Sequence, residues 1–328
     1  VGAIELHSPV TPVVFVHGMG SFEMAGTDRF QGCLLGLAVG DAVGAAVEFK
    51  PRGTFTPLTD MLGGGPFNLA PGEWTDDTSM ALCLGTSLVE RGRFDPADQM
   101  ERYIRWRDTG YLSSNGRCFD IGRSIAWALE KYRRTGDPFA GSLEPGSAGN
   151  GCIMRLAPIP LFYFPDEAAA ICYAADNSRT THGAEECVDA CRLLAGILCR
   201  ALAGQGKDAV LEGDADCFRG APHIVAIARG DYRPMSERDI RGTGYVVDSL
   251  RAALWCFAKT NSYEDAVLRA ANLGDDADTT AAVCGQIAGA FYGEQGIPGR
   301  WLSKLVMRPE IIALAQALKR GGTEDHVA

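Results

Sequence analysis

The chain has 328 residues, 46% of them hydrophobic, with 41 acidic and 31 basic side chains and a formal net charge of −10. This length supports one large core or two small domains, and an acidic balance without a Lys/Arg cluster argues against nucleic acid as a partner. Eleven cysteines with no CxxC pair read as reduced thiols of a cytoplasmic protein, not as a disulfide framework.

Residues 1–27 read as an N-terminal extension or arm. Its run from Val10 to Val16, VTPVVFV, is rich in β-branched residues, so a short strand is expected. The run is too short to cross a bilayer and lacks the basic start and cleavage site of a signal peptide, so no membrane is expected. His17-Gly18-Met19-Gly20 is similar to an oxyanion-hole loop of serine hydrolases, but no GxSxG elbow accompanies it. The arm either packs along its own domain or docks onto a partner protein.

The first helix is expected from Thr27-Asp28 through Glu48. Gly32, Gly36, Gly40 and Gly44 recur at every fourth residue. Glycine inside a helix costs about 1 kcal/mol against alanine, so this ridge predicts close approach by another backbone. Ala281, Gly285, Gly289 and Gly293 form a matching ridge on a helix starting near Asp278. Face-to-face packing of the two would bring Asp41 and Glu48, nearly on one face, towards that helix start. Residues 51–72, rich in Gly, Pro and Thr, read as a surface loop of the kind that acts as a lid. Thr75 would cap a helix ending near Arg91-Gly92. Further helices are expected over 97–107, from Cys118-Phe119-Asp120 onward, from Ile153, from His182 to Leu198, near 221–228, over 246–257 and after the capping box Ser262-Tyr263-Glu264-Asp265. No alternating βα pattern appears, so the expected fold is all-α, one compact multi-helix domain over residues 28–320.

Two helix starts carry the chemistry. Asp275, Asp276, Asp278 and Thr279 surround one, and Thr75, Asp76 and Asp77 the other. One such cluster alone reads as a cap with dipole-favoured acids. Two of them facing each other would crowd carboxylates into a low dielectric and need cations between them. Every donor is a hard oxygen, so two magnesium or manganese ions fit and zinc does not. The expected ligands are Thr75, Asp76, Asp77, Asp276, Asp278 and Thr279. Ser147, Gly149, Asn150 and Gly151 offer small side chains and free N–H groups at an expected helix start, a cradle suited to a diphosphate. By itself that stretch is also a plain linker, Asp120 a plain cap, and His182 a cap or core hydrogen-bonder.

The ordered set GCLLGLAVGDAVGAAVEF (32–49), WTDDTSMAL (74–82), CFDIG (118–122), GNGCIMRLAPI (149–159), SRTTH (178–182) and LGDDADTTAAVCGQIAGAFYG (273–293) resembles the ADP-ribosylglycohydrolases. The resemblance implies an all-α fold and a binuclear magnesium or manganese centre that cleaves the bond between ADP-ribose and its acceptor. It places Glu48 at the metal centre and points Asp120 into the site for proton transfer. It also makes the Gly149-Asn150-Gly151 turn a contact for the distal part of ADP-ribose, and has His182 line the substrate pocket.

The function expected is metal-assisted hydrolysis at the anomeric carbon of ADP-ribose on a modified protein. Glu48, Asp77, Asp120 and Asp276 would move protons and offset oxocarbenium charge. Arginine is the first-choice acceptor, with serine and small ADP-ribose esters open. Three other readings compete: a binuclear phosphohydrolase, a non-catalytic binder, and an immunity protein that neutralises an ADP-ribosyltransferase toxin through residues 1–27, with or without reversing its modification.

Overall fold

The computed structural model describes residues 19–213 and 215–324, which form α-helices joined by loops and short 3-10 turns, with isolated bridges and no sheet among them. In chain order α1 is Met19–Gly44, α2 Asp76–Arg91, α3 Pro96–Thr109, α4 Arg123–Thr135, α5 Pro158–Tyr163, α6 Glu167–Thr181, α7 Glu185–Leu202, α8 Lys207–Glu212, α9 Pro222–Ala228, α10 Val246–Ala258, α11 Tyr263–Ala271, α12 Ala277–Tyr292, α13 Gly299–Leu302 and α14 Arg308–Glu324. The all-α expectation holds.

A glycine seam joins α1 to α12 at the centre. A Cβ added to Gly32, Gly36, Gly40 or Gly44 would lie 2.4, 2.3, 2.2 or 2.4 Å from the carbonyl oxygen of Gly289, Gly285, Ala281 or Ala277 respectively. No side chain fits there, so the expected face-to-face packing is real and backbone meets backbone. α1 ends at Gly44 and a 3-10 turn, Ala45–Val47, delivers Glu48 beside the start of α12. Two backbone bonds fasten that junction: the Phe49 N–H donates to the Asp275 carbonyl at 2.7 Å, and the Asp275 N–H to the Lys50 carbonyl at 2.9 Å. By length and composition Gly26–Val47 is apolar enough to span a bilayer, and 94% of its most apolar window is buried inside the fold, as expected of a core helix. α1 begins at Met19 and not at Thr27, so residues 19–27 of the expected arm are helical. The strand expected at Val10–Val16 lies outside the described residues, as does His17-Gly18.

One large core surrounds the seam, and a smaller cluster from α2, α3 and α4 includes Met80, Met100, Tyr103, Trp106, Ile125 and Leu129. Local signals bound these helices: Asp95 caps α3 by accepting the Asp98 N–H at 3.0 Å, and Gly92, Gly110 and Gly136 close α2, α3 and α4 in the left-handed conformation, the first at the end expected for α2. Ser262 caps α11, its Oγ accepting the Asp265 N–H at 3.0 Å and donating to Asp265 Oδ2 at 2.7 Å.

Four expectations are corrected. The helix expected from Ile153 starts at Pro158, where a residue without an N–H is tolerated at the first helical position. The helix expected at Cys118–Asp120 starts at Arg123, because Asp120 sits at φ 59° outside the helical region. His182 does not start a helix; it terminates α6, its N–H donating to the Ser178 carbonyl at 2.7 Å. The 51–72 loop is fastened and none of its residues lines the cleft: Asn272 holds Leu58 through bonds of 2.7 and 3.0 Å, and Lys304 Nζ holds Asp60 at 3.0 Å. α6 itself was not expected because its buried face, Ala170, Ala174, Ala175, Asn177, Ser178, Thr180 and Thr181, is small and polar and shows no apolar period.

Candidate active site

Buried Asp41 of α1 explains how α2 is aimed. Its Oδ1 accepts the Thr75 N–H at 2.9 Å and hydroxyl at 3.0 Å, and its Oδ2 accepts the Thr78 N–H at 3.1 Å and hydroxyl at 2.6 Å. A helix start leaves such N–H groups without intrahelical partners, so α1 caps α2. Thr75 and Asp276, the N-cap residues of α2 and α12, make no side-chain cap to their own helices. Plain capping therefore does not account for the two acidic sets.

The sets meet. Thr75 Oγ1 lies 3.3 Å from Asp278 Oδ2, and Thr279 Oγ1 donates to Asp77 Oδ1 at 3.3 Å. Glu48, Asp276 and Asp278 bring carboxylate oxygens within 4.8 Å of one another. Each ionised pair at that distance repels by about 3.5 kcal/mol at an effective dielectric near 20. Glu48 Oε2, Asp77 Oδ2 and Asp278 Oδ1 are buried with no hydrogen-bond partner, and a buried acceptor left in that state is costly. A hard divalent cation would supply what these oxygens lack, and the donors, all carboxylate or hydroxyl oxygens, fit one.

The protonation behaviour agrees. Burial, then Asp278, Asp120, Asp276 and Asp76, pushes Glu48 up to about 12. Burial and the neighbouring carboxylates hold Asp76, Asp77 and Asp278 well above the usual range. Asp120 is raised to about 7, first by burial and then by Asp276, and burial raises Asp41 to about 6.

A cleft of about 1290 Å³ opens on this centre. Glu48, Asp76, Asp120, Asp276, Asp278 and Thr279 line it, together with Ser147, Gly149, Asn150, Gly151 and His182, while Thr75 and Asp77 lie buried behind it. The expected diphosphate cradle differs in detail: the N–H groups of Ser147, Gly149 and Asn150 are not free but donate to the carbonyls of Glu144, Ser147 and Gly244 at 2.9, 2.8 and 3.0 Å. Asn150 instead reaches the acids, its Nδ2 donating to Asp276 Oδ2 at 2.6 Å. Burial pushes the His182 imidazole down to about 4, so it lines the cleft as a neutral hydrogen-bonder, with Nδ1 2.8 Å from Thr181 Oγ1.

Arg155 escaped the sequence reading. Fully buried, it donates from Nη1 to the Gly151 carbonyl at 3.0 Å and from Nη2 to Thr181 Oγ1 at 2.7 Å, so one guanidinium positions both the 149–151 turn and the neighbour of His182. Its signal was a lone charge inside the apolar run Cys152-Ile153-Met154-Arg155-Leu156-Ala157, which demands buried partners. Tyr245, whose hydroxyl donates to Glu186 Oε2 at 2.6 Å, also lines the cleft.

Comparison with known proteins matches residues 23–326 to the family described as ADP-ribosylglycohydrolase. The chain belongs to the ADP-ribosylglycohydrolase family. It is 48% identical to the ADP-ribosylarginine hydrolase Tri1 of Pseudomonas putida (strain GB-1), over 89% of this chain and 78% of that one. It is 35% identical to the ADP-ribosyl-[dinitrogen reductase] glycohydrolase of Rhodospirillum rubrum, over 86% and 92%. A solved structure titled ADP-ribosylglycohydrolase-related protein complex superposes with a TM-score of 0.80 at 46% identity, covering 91% of this chain and 99% of that one. The chain is an ADP-ribosylglycohydrolase and a hydrolase, with the all-α fold its motifs implied.

Two expectations arise for this glycohydrolase. Asp41→Asn turns an acceptor of four donors into a group with only one acceptor oxygen, so α2 loses its aim; metal affinity should fall about 10- to 100-fold, read by titration calorimetry with manganese. In chelator, the raised pKa values of Asp41 and Asp120 mean that the folded state holds protons the unfolded state has released. Their stabilisation is complete below about pH 4 and is lost as pH rises through about 6 and about 7. Scanning calorimetry should therefore show the metal-free melting temperature falling across that window, and saturating manganese should oppose the fall.

Proposed function

We propose that this protein hydrolyses the N-glycosidic bond between ADP-ribose and an arginine side chain, using two magnesium or manganese ions held by Thr75, Asp76, Asp77, Asp276, Asp278 and Thr279 with Glu48 beside them. The observation that carries the reading is the meeting of chain-distant acids whose buried oxygens lack partners. The similarity to an ADP-ribosylarginine hydrolase supports the arginine acceptor. When bound, the cations supply Lewis acidity and an oriented water. The chain's own residues do the rest. Asp120, raised towards neutrality, moves a proton at the scissile nitrogen. Asp276 is oriented by Asn150, and neutral His182 with the 149–151 turn holds the ADP-ribose. Among the described residues Arg123 is the only Lys or Arg lining the cleft, and it serves the diphosphate. The surrounding acids favour a departing guanidine.

The structure places none of the eleven cysteines in a disulfide, and we read them as the reduced thiols of a cytoplasmic protein. The deciding experiment incubates the protein with an ADP-ribosylarginine protein, with and without manganese, and measures the product. Free ADP-ribose appearing only with metal is the expected result. Release of phosphate or AMP would favour the phosphohydrolase.

A further inference from the structure

Five large apolar side chains are exposed among the described residues, and of these Phe49 alone lines the cleft. It is 63% exposed and directly follows Glu48. Its backbone sits at φ 60°, the left-handed region that favours Gly, Asn or Asp and penalises a bulky side chain. Two bonds enforce the conformation, from the Phe49 N–H to the Asp275 carbonyl and from the Asp275 N–H to the Lys50 carbonyl. Neither fold nor solubility asks for an aromatic ring here: a glycine would relieve the backbone, and a polar residue would suit the exposure. A strained, solvent-facing ring at the lip of an acidic cleft has the two properties that select a planar cation, a π face and a surrounding negative field.

Building on the arginine reading above, we infer that Phe49 is the acceptor-side specificity residue, its ring receiving the face of the ADP-ribosylated guanidinium. The ring binds the cationic substrate and leaves proton transfer to the carboxylates. Its contribution therefore belongs in KM for arginine-linked substrates and not in recognition of ADP-ribose.

The test compares wild type with Phe49→Ala, Phe49→Leu and Phe49→Trp, all manganese-loaded, on an ADP-ribosylarginine protein, with inhibition by free ADP-ribose as a second readout. Phe49→Ala and Phe49→Leu should raise KM by about three- to thirtyfold with little change in kcat, Phe49→Trp should restore it, and inhibition by ADP-ribose should stay constant. Because the ring is exposed, these variants are expected to fold, and unchanged ADP-ribose inhibition verifies that they do. A Leu variant equal to wild type would reduce the ring to bulk, and weakened ADP-ribose inhibition would move it into the nucleotide pocket; either overturns the inference. An active wild type with an unchanged KM in Phe49→Ala sinks this inference alone, whereas a wild type inactive on arginine-linked ADP-ribose sinks the parent reading with it.

Discussion

Asp278→Asn is expected to lower ADP-ribose release by about three orders of magnitude or more, while making the metal-free protein more stable. Asp278 is buried at the start of α12, with one oxygen near Thr75 and the other without a partner. The amide keeps the shape of the carboxylate but removes its charge and aims N–H donors at the place a cation would take. The same change deletes a like charge from a set whose members push one another's pKa upward, so repulsion in chelator falls. Activity and stability moving in opposite directions distinguish a ligand from a structural residue. Release assays with manganese and melting in chelator check the two halves; a variant that retained a tenth of wild-type activity would contradict the assignment.

Gly36→Ala should cost at least about 3 kcal/mol of stability. The helix itself would gain about 1 kcal/mol from alanine, but the new Cβ would stand 2.3 Å from the Gly285 carbonyl oxygen, and backbone cannot yield as a flexible side chain does. α1 and α12 would have to separate, and Glu48 and Asp278, carried near one end of the seam, would separate with them. Urea unfolding should show the loss, and manganese affinity should fall with it. Gly299→Ala, where nothing lies within 4 Å of the added atom, should change neither.

Much of this architecture was legible in the sequence because its signals are local and periodic. The two glycine ridges share a four-residue spacing and did find each other, and the acids at two helix starts converge because α1 holds both helices, α12 along the seam and α2 through Asp41. What stayed hidden depended on long-range partners. α6 buries a polar face that no apolar period reveals, and its network with Gln99 and Arg155 exists only once α3 is in place. The N–H groups of the 147–150 segment looked free because the carbonyl of Gly244, which takes one of them, lies far along the chain. His182 looked like a helix start because Thr180, Thr181 and His182 precede an apolar run; that they end the previous helix is decided by tertiary burial of Ser178 and Thr181.

Because Asp41 closes the open end of α2 from another helix, Asp76 and Asp77 are not needed to finish their own. Cut out as a short peptide, WTDDTSM would lack that outside acceptor and would turn one of its carboxylates back on its own N–H groups. It would then reach an ion one ligand short. The acidic motif is therefore not a portable cassette, and grafting it into another helical protein would require importing an aspartate on a neighbouring helix as well.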